Sequence, residues 1–73
     1  MKKTAYFVAG AGGEIEIRFA DLRQAFAHAK EVAKENKFHT AYMRKIVWDA
    51  DRRIIGHEGC KVDASGKWEY LYR

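Results

Sequence analysis

The sequence predicts an α+β fold of order ββαβββ, one five-stranded antiparallel sheet with a single helix packed on one face. Three observations predict it. Residues 14 to 19 alternate strictly between charged and apolar side chains, Leu22 to Asn36 carry apolar groups at helical spacing, and two Asp-led turns divide three strand-forming stretches after the helix.

Thr4 to Ala9 is rich in β-formers and gives the first strand. Gly10-Ala11-Gly12-Gly13 then supplies a hairpin connection in which positive φ costs nothing. In the second strand Ile15, Ile17 and Phe19 share one face, and Glu14, Glu16 and Arg18 share the other, as a half-buried strand requires. Asp21 stands three residues before Gln24, which suits an N-cap and capping box. The apolar stripe of the helix, Leu22, Ala25, Phe26, Ala29, Val32 and Ala33, is mostly alanine, so this helix can lie close to a sheet. Thr40 to Trp48, Arg53 to Val62 and Lys67 to Arg73 form the last three strands, joined by Asp49-Ala50-Asp51-Arg52 and Asp63-Ala64-Ser65-Gly66. Gly56 and Gly59 within the fourth strand predict a bulge or strong twist.

A chain of 73 residues supports a single domain, residues 1–73, and its 48% hydrophobic and 33% charged content without proline fits a compact globule. One cysteine, Cys60, excludes an internal disulfide framework, and a reducing cytoplasm suits it. Met1-Lys2-Lys3 has the character of a signal-peptide start, but Gly10, Gly12, Gly13 and Glu14 break the apolar stretch after it, so the expectation is no export segment and no membrane partner. The net charge of +4, from 14 Lys and Arg against 10 Asp and Glu, is compatible with a polyanionic partner without requiring one.

The chemistry-bearing residues fall short of an active site. His57-Glu58-Gly59-Cys60 resembles half of a zinc site, but the second closely spaced ligand pair is missing, and alternation points His57 and Cys60 to opposite faces of a strand. The glycine run leads into a strand and lacks the Gly-Lys-Ser/Thr of a phosphate loop, and Asp49, Asp51 and Asp63 are turn residues without the rest of a calcium loop. The sequence assigns no catalytic residue, no metal and no cofactor, and the expectation is a binding protein and not an enzyme.

The binding candidates are basic and aromatic. Arg23, Lys30, Lys34 and Lys37 fall in one stripe beside the apolar face of the helix, and Arg44, Lys45, Arg52 and Arg53 are placed to extend it. An ordinary solvated face with Lys stems covering apolar surface is the other reading. Trp68, Tyr70 and Tyr72 share one side of the last strand, a row that belongs to the core or faces outward.

The hairpin, helix and meander ending in Lys61-Val62-Asp63-Ala64-Ser65-Gly66-Lys67-Trp68-Glu69-Tyr70, with Thr4-Ala5-Tyr6-Phe7-Val8 at the start, resembles small phage-encoded anti-CRISPR proteins over the full length. The resemblance implies a stoichiometric inhibitor in the cytoplasm of a phage's host, docking on a protein subunit of a CRISPR effector complex and blocking target-DNA recognition. DNA mimicry, which calls for an acidic surface, does not suit this basic chain, whose ridge would meet an acidic protein patch or bound nucleic acid with aromatics as anchors. The alternative is a small nucleic-acid-binding module, with Lys and Arg on phosphates and Trp68, Tyr70 and Tyr72 stacking bases. An aromatic sheet face also suits a homodimer surface, so monomer and homodimer both stay open.

Overall fold

The computed structural model describes residues 2–73. Five strands, β1 (Lys3–Gly10), β2 (Ile17–Phe19), β3 (Thr40–Trp48), β4 (Ile54–Asp63) and β5 (Trp68–Tyr72), form one sheet in the order β2-β1-β3-β4-β5, every neighbouring pair antiparallel. The helix α1 (Leu22–Glu35) packs on one face, over β1 to β4 and not over β5. The predicted α+β order is therefore the observed one.

The covered face is built from small groups. Ala25, Ala29, Val32 and Ala33 of α1 meet Val8, Ala41, Met43, Cys60 and Val62 of the sheet, and the largest fully buried side chains are Val8 and Val62. Alanines let the helix axis approach the strands, which closes the core without a large side chain at its centre. None of the ten aromatic residues is fully buried.

Caps and turns fix the connections. Asp21 caps α1 by accepting the Arg23 N–H at 3.4 Å. At the other end buried Asn36 donates Nδ2 to the carbonyls of Val32 (3.1 Å) and Thr40 (2.7 Å), while its Oδ1 accepts from Phe38 N–H at 3.0 Å. One side chain thus ties the last helical turn to the start of β3. The β3–β4 and β4–β5 turns are copies of each other. Asp49 Oδ1 accepts from the N–H groups of Asp51 and Arg53 at 2.9 and 3.0 Å, and Asp63 Oδ1 accepts from those of Ser65 and Lys67, both at 2.9 Å. The fourth residue of each turn is left-handed, Arg52 at φ 64° and Gly66 at φ 91°.

Three expectations change. The second strand starts at Ile17 and not at Glu14, and Ile15 is 85% exposed. The reason lies at Gly10, against which the Glu14 carboxylate folds so closely that a Cβ there would stand 2.5 Å from Glu14 Cδ. Ala11 still donates its N–H to the Thr40 carbonyl of β3 at 3.1 Å, and the chain joins β1 in a ladder again only from Ile17. Second, the fourth strand bulges where its glycines suggested, although the extra residue is Ile55, because Val47 pairs with Gly56 and Trp48 with Ile54.

Third, Trp68, Tyr70 and Tyr72 do not share a face. Cys60 pairs with Tyr70 but Gly59 pairs with Tyr72, so Leu71 is an extra residue in β5 and Tyr72 turns to the face away from the helix. Its ring lies where a Cβ on residue 59 would be, which only glycine permits, and its hydroxyl is 2.8 Å from His57 Nε2.

Candidate binding cleft

Because α1 leaves β5 uncovered, a cleft of about 660 Å³ opens between the N-terminal half of the helix and the last strand. Leu22 and Phe26 form one wall, Trp68 and Tyr70 the other, and Met43 and Cys60 lie in the floor. Register explains the second wall, since Trp68 pairs with Val62 and Tyr70 with Cys60, both helix-facing positions. Leu22 is 50% exposed, Trp68 49% and Tyr70 42%, so both walls present apolar surface to solvent.

The rings are held in place. Trp68 and Tyr70 meet edge to face with centroids 5.0 Å apart, and the Arg73 guanidinium lies 4.2 Å from the Tyr70 centroid. Lys45 and Glu58 pair across the floor at 3.7 Å, and Asp21 and Arg23 stand at the helix end of the rim. The cleft is an apolar slot with a few charges at its edge, the usual composition of a site that takes one anchoring side chain.

Burial, and then the charge of Glu58, pushes the Cys60 thiol above its ordinary pKa, so the thiolate is disfavoured. His57 lies across the sheet against Tyr72 and is no base for Cys60. Among the described residues no three His, Cys, Asp or Glu side chains come together as a metal would need. No helix among them is long and apolar enough to cross a membrane.

Of the ten residues singled out in sequence, Arg23, Lys45, Trp68 and Tyr70 meet at the cleft. The other six do not complete one ridge. Lys30 lays its stem beside Gly66, Lys34 pairs with Glu31 at 3.8 Å, and Lys37 lies beyond the helix end with its ammonium 5.2 Å from the Phe38 ring. Arg44 and Lys45 are adjacent on a strand and so project from opposite faces, with Arg44 bound to Glu16 at 2.9 Å on the open side. Arg52 and Arg53 belong to the β3–β4 turn. Sequence reasoning missed Leu22 and Phe26, whose helical spacing marked them as core, and Arg73, which nothing but the last strand's direction would have placed on Tyr70. No protein-family model, curated protein or solved structure matches this chain.

Proposed function

We propose that this chain is a non-catalytic binding protein that docks stoichiometrically on a protein partner, its α1–β5 cleft taking an apolar anchor side chain from that partner. The observation that carries this reading is the cleft itself, with Leu22, Trp68 and Tyr70 half-exposed around a floor that holds Met43 and Cys60. Aromatic residues so placed are where binding energy concentrates in protein interfaces, and leaving them in water has no structural return. The buried, protonated Cys60 and its separation from His57 support a role without covalent chemistry.

The resemblance to small phage-encoded anti-CRISPR proteins narrows the partner to a protein subunit of a CRISPR effector complex, in the cytoplasm of the phage's host. On this reading the docked chain blocks target-DNA recognition at one copy per site. The test is titration of purified effector complexes with wild-type protein, followed by target-DNA binding, against Trp68→Ala and Leu22→Asp. Binding that saturates at a fixed molar ratio and weakens by about tenfold or more in both variants is expected, with their thermal unfolding unchanged within a few degrees. Saturation by both variants at wild-type affinity, or no binding of wild type to any effector complex, would sink the assignment.

A further inference from the structure

The sheet face turned away from α1 carries a second constellation, independent of the cleft. Alternation places Phe7 of β1, Arg18 of β2, and Tyr42, Arg44 and Trp48 of β3 on this face, and the Leu71 bulge adds Tyr72. Arg18, Phe7 and Arg44 are direct cross-strand neighbours in one row, and Arg44 pairs in turn with Gly59, on which the Tyr72 ring rests. The Phe7 ring has a guanidinium on either side, Arg44 Cζ at 5.1 Å and Arg18 Cζ at 6.0 Å from its centroid, and Arg18 Cζ is also 5.8 Å from the Trp48 ring. Glu16 grips Arg44 through both Nε (3.1 Å) and Nη2 (2.9 Å), which fixes the plane of that guanidinium.

We infer that this face binds single-stranded nucleic acid. Flat cations and rings alternating at roughly 5 Å cross-strand spacing offer stacking planes for unpaired bases, and arginine serves this role as well as an aromatic ring does. Glu16 engages Arg44 through Nε and Nη2 and offsets its charge, so Arg44 serves here as a plate held in a fixed plane. Arg18 has no carboxylate partner within ion-pair distance among the described residues and is the group left to meet a phosphate, with Lys3, the cross-strand neighbour of Trp48, further along the same face. Charge argues against a second copy of this chain as occupant. The acidic groups on this face are committed, Glu16 to Arg44, Glu69 to Lys61 and Asp63 to the N–H groups of its own turn, so a two-fold pair would oppose arginines with arginines. A duplex does not fit either, because a broad sheet face enters neither groove and its bases are not free to stack.

The test is fluorescence anisotropy of labelled single-stranded RNA, single-stranded DNA and duplex DNA, each about a dozen nucleotides or base pairs long, across a salt series. At least one single strand should bind, more than tenfold tighter than duplex by rough expectation, with affinity falling as salt rises. The two single-strand arms tell RNA from DNA. Arg18→Glu and Tyr42→Ala should each weaken binding by about tenfold, whereas Lys34→Glu, the same charge change on the far side of the helix, should cost much less. Oligonucleotide should also quench Trp48 in a Trp68→Phe background. Equal affinity for duplex and single strand, equal loss in Arg18→Glu and Lys34→Glu, absence of binding at low salt, or sedimentation showing a dimer that Arg18→Glu dissolves would each overturn the inference.

Discussion

Directly beneath the helix the sheet is lined by small apolar groups, and its opposite face carries rings and guanidinium groups. Under α1, Ala25, Ala29, Ala33 and Ala41 fill the core with small apolar groups, while across the same strands Phe7, Arg18, Arg44 and Trp48 cover one another. Ala5 and Ile46 are buried on the open side although they lie outside the helix-side core, with Phe7, Trp48 and His57 as their neighbours in the grid. The contrast teaches that the helix closes most of the core. The large side chains, which most small domains would bury first, are left at surfaces where a partner can reach them.

The sharpest way to break this contrast is to exchange sizes between the faces. Ala29→Leu forces extra atoms under the helix and is expected to cost about 2–3 kcal/mol in urea unfolding, whereas Tyr42→Thr on the open face stays within about 0.5 kcal/mol. Similar losses in both variants would mean that the open face is as tightly determined as the core. A smaller effect tests the charges of the open face. Lys61 donates to Glu69 at 2.9 Å, and this bond, then the Lys61 charge, holds the Glu69 carboxyl below its ordinary range, while the same bond holds the Lys61 ammonium above its own. The pair's contribution is therefore present between the unfolded carboxylate and ammonium values, about pH 4 and pH 10. It is lost as pH falls through the lowered Glu69 value or rises through the raised Lys61 value. Stability curves of wild type and Glu69→Gln should differ slightly near neutrality and converge at both extremes, with the gap closing in high salt because both groups are exposed.

Much of the fold was legible because the signals were periodic. Two-residue alternation and helical spacing gave the element order, and Asp49 and Asp63 marked turns that their carboxylates now close. The cleft was not legible, because it arises from a mismatch between one helix and the width of five strands. Leu22 and Phe26 carry the same spacing whether a strand lies opposite them or water does. Faces were lost wherever a bulge shifted parity: Gly59 signalled the irregularity, but the extra residue, Leu71, sits in the partner strand with nothing in its identity to mark it. The helical stripe of Arg23, Lys30 and Lys34 is shorter than its spacing suggested, since α1 stops at Glu35, before Lys37 can join it.

The twin turns differ in backbone strain. Asp49 to Arg53 and Asp63 to Lys67 share the same backbone hydrogen bonds, yet the left-handed position holds glycine in one and arginine in the other. A side chain with a Cβ costs about 1 kcal/mol there, so Arg52→Gly is expected to raise stability by about that amount in urea unfolding. The β3–β4 tip thus holds a side chain in backbone that glycine would occupy more easily, so the two turns differ in strain though not in hydrogen bonding.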